Sequence, residues 1–256
     1  MKTKKRRTVA LYIRNTFLAL FVACVLAAGA VAMRGYFLYT AALENLPTQT
    51  AARQIRQQPG FTPIGQLPET YLTAVVSVED HRFYEHNGLD LIAIGRAIYH
   101  DICTLSFAEG GSTITQQLAK NLYFTQEKEF TRKAAEVFMA WKLEHDFTKE
   151  EILELYVNSI YFGSGCYTVG DASQAYFHKT PGEMDDNECT LLAGIPNAPS
   201  VYDLNENPDL ARQRQRQVVE LMVEYGGLPR HRASLILDGT AQVTEVTLGT
   251  EAAPAA

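Results

Sequence analysis

An apolar run near the N-terminus constrains this chain more than any other feature of its sequence. From Thr16 to Met33 the sequence has no charged residue and is almost wholly apolar. A helix of this length, at a rise of 1.5 Å per residue, extends roughly 27 Å, which is close to the hydrocarbon core of a bilayer at ~30 Å. The run therefore predicts a membrane-spanning anchor over residues 16–36, after a basic segment over residues 1–15.

The residues on either side of this run predict its orientation. Six basic residues precede it, namely Lys2, Lys4, Lys5, Arg6, Arg7 and Arg14, and aromatic residues follow it at 36–39. Basic residues mark the cytoplasmic side of a span, so we expect a single-pass protein of the cell membrane with a cytoplasmic N-terminus and the bulk of the chain outside. A cleaved signal peptide is the alternative, since small-x-small patterns lie within 28–32. The run is longer than the ~7–15 residues of a usual signal core, which favours the anchor.

The rest of the chain has an ordinary globular composition. Of its 256 residues 46% are apolar, and the formal net charge of -6 argues against nucleic acid as a partner. Helical periods dominate from Pro68 to Gly226 without a series of alternating strands, so we predict a mainly α fold. Proline and glycine at 37–67 indicate a linker with one short helix around Ala51–Gln58. The main domain is placed at 68–228, and a partly disordered C-terminal tail at 229–256.

Two adjacent carboxylates, Glu79 and Asp80, follow an apolar helical pattern over Glu69–Val78 that Pro68 opens. A carboxylate at the C-terminal end of a helix meets the negative pole of the helix dipole, which disfavours its charged form. We therefore expect the pKa of Glu79 to be raised, as suits a proton acceptor that works near neutral pH.

A second polar region begins at Ser112, which follows two glycines and is the predicted N-cap of a helix with free backbone N–H groups for an anion. On this helix Gln116 and Lys120 share one face, with Gln117 and Asn121 beside them. The pattern is typical either of a plain polar helix start or of contacts to sugar and phosphate.

The next helix carries a cluster of charges. Thr131 is its predicted cap, and Arg132, Lys133 and Glu136 lie within one turn of each other. The cluster is either an ordinary surface ion network or a receptor for a diphosphate through charge-assisted hydrogen bonds.

Five segments now carry a resemblance to a known family. EDHRFYEHNG, GGSTITQQLAKNLY, TRKAAE, KEEILELYVNSIYFG and ARQRQRQVVELM resemble, in order and spacing, the five motifs of the family 51 glycosyltransferases. These peptidoglycan polymerases occur as the first domain of class A penicillin-binding proteins or alone as monofunctional enzymes. The resemblance implies a lysozyme-like bilobed domain, a helical head with a smaller jaw that dips into the membrane. Its position places the jaw at about 89–109, an apolar stretch that fits either core packing or membrane contact.

The resemblance also implies a reaction, the inverting β-1,4 polymerisation of lipid II with release of polyprenyl diphosphate. Glu79 would deprotonate the acceptor hydroxyl, and Glu136 would be the second catalytic carboxylate. Lys120, Arg132 and Lys133 would bind the diphosphate. The other candidate substrate-binding residues are Asp80, Ser112, Thr113, Gln116, Gln117 and Asn121. Of these, Asp80 is expected to position Glu79 rather than to share its proton.

No required cofactor follows from the resemblance, although a divalent cation near the diphosphate and Glu136 stays open. The histidines and cysteines have no metal-binding spacing, so no metal site is predicted. Cys103, Cys166 and Cys189 form either one disulfide or free thiols. No Ser-x-x-Lys motif with its companions appears, which predicts an enzyme without a transpeptidase domain.

Two motifs remain open. Glu154, Tyr156 and Asn158 in the fourth motif are expected to brace the catalytic helices rather than to touch substrate. In the fifth, Arg214 and Gln215 stand where the family usually has adjacent arginines, so that helix is either a cationic site face or a solvated surface.

Two other functions compete with polymerisation. A lytic enzyme would use Glu79 as a general acid to cleave glycan, and a membrane-anchored scaffold would not be catalytic. Lipid II, the nascent glycan strand, the membrane and other proteins of cell-wall synthesis are the expected partners.

Overall fold

The computed structural model describes residues 2–104, 111–124 and 130–238. Within these ranges the chain is helical and has no strand, which confirms the mainly α prediction. The α-helices are α1 (Lys2–Asn45), α2 (Thr48–Arg56), α3 (Glu69–Glu79), α4 (Leu91–Thr104), α5 (Ile114–Tyr123), α6 (Phe130–Asp146), α7 (Lys149–Val157), α8 (Val169–Phe177), α9 (Asp186–Gly194), α10 (Pro199–Tyr202), α11 (Pro208–Glu224) and α12 (Arg230–Leu237).

Helix α1 contains the predicted apolar segment. Its portion Leu11–Asn45 contains an 18-residue stretch with a mean hydropathy of 2.4 and is long enough to cross a membrane. Large apolar side chains such as Phe17, Phe21 and Leu26 are exposed, as expected of a helix that faces lipid. The side chains of residues 2–10, which include most of the predicted basic segment, lie outside the described part of the chain.

The predicted linker at 37–67 is wrong for most of its length, because the segment is folded, whereas the short helix predicted around Ala51–Gln58 is present as α2. Helix α1 continues to Asn45, α2 follows at once, and a 3-10 turn covers Ile64–Gln66. Ala51, Ala52 and Ile55 of α2 are buried against the core. Their i, i+1, i+4 spacing forms one apolar face, so the flanking prolines delimit a packed helix rather than a flexible connection.

The core of the main domain lies between α3, α5, α7 and α9. Each helix contributes fully buried side chains, among them Tyr71, Leu118, Tyr156 and Leu192. Helix α11 packs against both α3 and α9, and α6 packs between α1 and α5. This arrangement brings the end of α3, the start of α5 and the start of α6 to one side of the molecule.

Helix α4 occupies the stretch assigned to the jaw. Asp90 caps it, since its Oδ1 accepts hydrogen bonds from the backbone N–H groups of Ile92 (2.9 Å) and Ala93 (3.0 Å). Arg82 Nε lies 3.0 Å from Asp90 Oδ2, which ties the helix to the end of the first motif. Leu91 and Tyr99 are exposed. Residues 105–110 and the side chains at 98 and 101–104, which belong to the apolar stretch at about 89–109, lie outside the described part.

The first part of the segment assigned to a C-terminal tail, residues 229–256, is folded. Helix α12 fills its first part and buries Ile236. Asn187 Nδ2 donates a hydrogen bond of 2.7 Å to the carbonyl of Ile236, which fastens α12 to α9. Residues 239–256 lie outside the described part of the chain.

Candidate active site

Glu79 is the last residue of α3, and its carboxylate is sheltered from solvent. Oε2 accepts a hydrogen bond of 2.7 Å from Gln117 Nε2, whereas Oε1 is buried and has no hydrogen-bond partner among the described residues. Burial raises the pKa of Glu79, opposed by the hydrogen bond from Gln117 and by the charges of Arg214 and Lys120. The direction agrees with the sequence prediction, but the dominant cause is loss of water around the carboxylate rather than the helix end.

Asp80 connects two parts of the site. It caps the C-terminus of α3, and its Oδ2 accepts a hydrogen bond of 3.0 Å from the backbone N–H of Ile114, the first residue of α5. Both carboxylate oxygens also lie 3.0 Å from Nε2 of the buried His86. Asp80 therefore holds the start of α5 beside Glu79, and its role in positioning that carboxylate for the reaction stays a prediction.

The predicted N-cap of α5 is off by one residue. Thr113, not Ser112, caps the helix: its Oγ1 accepts from the backbone N–H of Gln116, while Gln116 Oε1 accepts from the backbone N–H of Thr113, both at 3.1 Å. This reciprocal pair is a capping box, which requires a hydroxyl three residues before the glutamine. Gln116 is buried, and its side-chain carbonyl oxygen is used to stabilise the start of the helix rather than to bind a ligand.

Gln117 joins the fourth motif to Glu79. Its Oε1 accepts a hydrogen bond of 3.1 Å from the hydroxyl of Tyr156, while its Nε2 donates to Glu79. Because the tyrosine hydroxyl occupies the carbonyl side of the amide, the NH₂ group is directed at the carboxylate. Tyr156 thus supports Glu79 through Gln117, in agreement with the bracing role that the sequence indicated for this motif.

The other polar residues of the fourth motif hold the segment before α3. Asn158 Nδ2 donates to the carbonyl of Thr62 at 2.9 Å, and its Oδ1 accepts from the N–H of the same residue. Glu154 accepts from Arg56 and from the backbone of Ile64. These side chains have a bracing role and lie away from the cavity.

Lys120 lies one turn beyond Gln116 and is half-buried. Burial lowers its pKa from the ordinary value for lysine, partly opposed by the negative charge of Glu136. No carboxylate of the described residues lies within ion-pairing distance of its ammonium group. Asn121 is exposed.

The charge cluster on α6 surrounds a buried carboxylate. Glu136 is only 1% exposed; its Oε1 accepts from Arg132, and its Oε2 lies 3.1 Å from Lys133 Nζ. Lys133 also donates a hydrogen bond of 2.6 Å to Ser112 Oγ, which connects α6 to the start of α5. A carboxylate this deeply buried is stable only with such partners, so the cluster is more than a solvated surface network.

Two clefts meet at Glu79. The first, of about 550 Å³, contains Lys120, Lys133, Glu136 and Arg214 among its lining residues. The second, of about 430 Å³, is lined by a mixed set of side chains: Asp80, His81, Asp90, Arg96, Glu224 and Tyr225. Both clefts share Val78, Glu79, Ser112 and Leu221. The carboxylate thus stands between a cavity that contains three cationic side chains and a cavity in which acidic side chains outnumber the single arginine.

Arg214 is a site residue that sequence reasoning did not select. It lines the first cleft, and its charge lowers the pKa of Glu79. The signal was present: Arg214 lies four residues from both Leu210 and Val218, so a cation stands within the apolar stripe of α11. Arg212 and Arg216 are exposed, so the cationic face suggested by the fifth motif reduces to one side chain.

Gln215 has a structural role on the neighbouring face of this helix. It is buried, and its Nε2 donates hydrogen bonds of 3.0 Å to Thr190 Oγ1 and 3.1 Å to the carbonyl of Asn187. At the end of α11, Tyr225 stacks on His81 with ring centroids 4.0 Å apart, and this pair lines the second cleft.

Neither Cys166 nor Cys189 lines the clefts at Glu79. Cys166 and Cys189 are buried free thiols, which excludes a disulfide between them. The side chain of Cys103 lies outside the described part of the chain.

Comparison with known proteins identifies the class of protein that this fold and site define. The transglycosylase family model matches residues 47–223. The chain therefore belongs to the transglycosylase family and is a peptidoglycan glycosyltransferase. The match begins within the segment that the sequence had assigned to a linker.

Particular relatives support this assignment. The chain is 43% identical over 192 residues to a Cupriavidus necator protein named as a candidate transglycosylase, covering 74% of this chain and 82% of the relative. It is 44% identical to penicillin-binding protein 1F of Bacillus subtilis and to penicillin-binding protein 1A of Neisseria lactamica, covering 64% and 66% of this chain. Of those longer proteins the chain spans only 23% and 21%.

A solved structure of penicillin-binding protein 1A from Haemophilus influenzae is 26% identical, with a TM-score of 0.33, and covers 50% of this chain and 15% of that one.

Proposed function

We propose that this protein polymerises lipid II by inverting glycosyl transfer, with Glu79 as the general base and polyprenyl diphosphate as the leaving group. One observation carries the proposal: Glu79, whose Oε1 is buried and has no partner among the described residues, lines both a cleft with three cationic side chains and a cleft with mainly acidic ones. Inversion requires the acceptor hydroxyl and the leaving group on opposite sides of the reacting carbon. Two cavities that meet at the base match this requirement.

The acceptor sugar belongs in the cleft of about 430 Å³. Its 4-hydroxyl would donate its proton to Glu79 Oε1, the oxygen that no described residue engages. The raised pKa makes this carboxylate a stronger base than an exposed glutamate, while Gln117 keeps the other oxygen fixed. Attack on the anomeric carbon of the growing strand then forms the β-1,4 bond.

The diphosphate belongs in the cleft of about 550 Å³. Lys120 has no carboxylate partner among the described residues and is directly available to a phosphate oxygen. Lys133 is shared between Ser112 and Glu136, so it is held at the mouth of the cleft. Glu136 orients Lys133 and Arg132, and the cations stabilise the charge that develops on the departing diphosphate.

A divalent cation near Glu136 does not fit the residues present. Both oxygens of Glu136 are engaged by Arg132 and Lys133. The described part of the chain holds no group of three acidic, histidine or cysteine side chains placed to bind a metal ion. We therefore assign the neutralisation of the leaving group to the side-chain cations and derive no step through a metal.

The apolar helix supports a membrane-bound enzyme. The lipid carrier of the substrate lies in the bilayer, so an anchor over Leu11–Asn45 would keep the clefts near it. The basic residues before the span favour a cytoplasmic N-terminus and an extracytoplasmic catalytic domain. A cysteine introduced at the exposed residue Glu85, labelled with a membrane-impermeant maleimide in intact cells, tests this orientation. Protection from the label contradicts it.

Incubation of the purified full chain with labelled lipid II tests the reaction. We expect glycan polymer, and a loss of about 10²–10⁴-fold in Glu79→Gln, the usual contribution of a general base. Glu85→Gln is the matched control, because Glu85 is an exposed glutamate of the same motif. Cleavage of finished glycan without polymer would support the lytic alternative, and inertness of a folded protein would support the scaffold.

A further inference from the structure

The membrane helix crosses the catalytic helix α6 at a glycine. Gly35 is buried against α6. A Cβ atom placed on it would lie 2.5 Å from the Cβ of Ala134 and 2.9 Å from the backbone nitrogen of Ala135. Real Cβ atoms do not approach this closely, so any larger residue must push the two helices apart. By contrast, a Cβ on Gly29 of the same helix meets nothing within 4 Å.

The crossing is part of a longer contact between the N-terminal segment and α6. The Phe138 ring lies edge-on to Tyr36 at a centroid distance of 5.5 Å and contacts Tyr39 at 6.1 Å. At the far end of α6, Thr48 Oγ1 donates a hydrogen bond of 2.5 Å to Asp146. The N-terminal segment therefore packs along α6 from the second turn of α6 to its last residue, and is not a flexible connection.

The place of closest approach coincides with the charge cluster. Ala134 and Ala135 separate Lys133 from Glu136, so the backbone that touches Gly35 is the backbone that carries the cations and their carboxylate. On a neighbouring face α6 packs against α5, where Lys133 reaches Ser112. Helix α6 is thus held between the anchor and the rim of the first cleft, and a shift at Gly35 moves Lys133 relative to Ser112 and Lys120.

We propose that Gly35 is a positioning residue for glycosyl transfer, because its missing side chain sets the distance between the membrane anchor and the diphosphate-binding cluster on α6. This inference rests on the proposed function for the identity of the ligand at that cluster. It assigns to the anchor a part in the geometry of the active site, besides its attachment to the bilayer.

Gly35→Ala, with Gly29→Ala as the matched control, tests the inference in the full chain reconstituted in liposomes. We expect kcat with lipid II to fall about tenfold or more in Gly35→Ala, since small misplacements of catalytic groups reduce rates by up to about 10²-fold. Gly29→Ala should stay within about twofold of the unsubstituted protein. Adding Ala134→Gly to Gly35→Ala removes the nearest clashing atom and should recover part of kcat, which a general loss of stability would not do.

The single tryptophan provides a readout that does not depend on the reaction. Trp141 lies on α6 with its ring 5.9 Å from Phe138, so its emission maximum should shift in Gly35→Ala and not in Gly29→Ala. Equal kcat values in Gly35→Ala and Gly29→Ala overturn the inference. A loss of kcat in Gly35→Ala also overturns it if Ala134→Gly does not recover activity, or if circular dichroism shows that the variant is unfolded. If the unsubstituted protein makes no polymer, the proposed function fails. In that case the emission maximum of Trp141 still tests the contact between Gly35 and α6, and an unshifted maximum in Gly35→Ala overturns it.

Discussion

Gln117 donates a hydrogen bond of 2.7 Å to Glu79, and this bond opposes the effect of burial on the same carboxylate. Burial favours the protonated form, whereas the amide N–H favours the ionised form. Tyr156 fixes the orientation of the amide through its hydroxyl. The pKa of Glu79 therefore depends on two opposing effects, burial and the hydrogen bond that Gln117 donates from α5.

Removal of this bond should move the pH profile. In Gln117→Leu the pKa of Glu79 rises further, because burial is no longer opposed by the amide. A base must be ionised to act, so the acidic limb of kcat/KM against pH moves to higher pH. Hydrogen bonds to charged groups contribute about 1.5–3 kcal/mol, so we expect the limb to move by about 1–2 pH units. Tyr156→Phe should shift the limb in the same direction by less, and an unmoved limb in Gln117→Leu contradicts the assignment of Glu79 as the base.

Glu79→Gln should stabilise the protein while it removes activity. The folded-state pKa of Glu79 is raised above the unfolded value, so the ionised carboxylate weakens the folded state once the pH passes the folded pKa, and this penalty is absent below the unfolded value. We expect a higher Tm for Glu79→Gln than for the unsubstituted protein at pH 8, and equal Tm values near pH 4. Thermal unfolding followed by circular dichroism measures both. A lower Tm at pH 8 would show that the carboxylate is not strained by burial.

The lysine on α5 should limit activity at alkaline pH. Burial lowers the pKa of Lys120, and a lysine binds diphosphate only while protonated, so affinity falls at a lower pH than for an exposed lysine. Arginine stays charged throughout this range. In Lys120→Arg we expect the alkaline rise of KM for lipid II to move to higher pH, even if geometry reduces the rate about tenfold. Lys142→Arg, on the outer part of α6 beside Asp146, is the control and should leave the profile unchanged.

Activity should depend on Arg214 of α11 and not on the nearby Arg216. Arg214 lines the first cleft and lowers the pKa of Glu79, whereas Arg216 is exposed. We expect Arg214→Gln to reduce kcat/KM by about tenfold or more, the effect of losing a charged contact of 1.5–3 kcal/mol, and to shift the acidic limb to higher pH. Arg216→Gln should remain within about twofold. Similar losses in both variants would mean that α11 acts through its net charge and not through a side chain in the cleft.

Local chemistry made much of the site predictable. The end of α3 at Glu79 follows from the apolar period after Pro68, and the ion cluster on α6 follows from helical spacing. The choice between Ser112 and Thr113 as the N-cap was also decided by local chemistry, because Gln116 lies three residues after the threonine. Such features depend on atoms within one turn of the chain.

Features that depend on distant neighbours could not be predicted in this way. Pro47 and Pro59 indicated a linker, yet the helix between them is buried because α7 and the core cover its apolar face. Arg214 was uncertain because its meaning depends on Glu79, which lies far away in sequence. The two clefts exist only where α3, α5, α6 and α11 converge.

The four residues common to both clefts, Val78, Glu79, Ser112 and Leu221, have a consequence for inhibition. On the proposed function, a compound seated over them competes with both substrates at once. A substitution that weakens binding of the compound also alters the surface that aligns the growing glycan strand with lipid II. Resistance at these positions should therefore carry a fitness cost that resistance at the outer wall of either cleft does not.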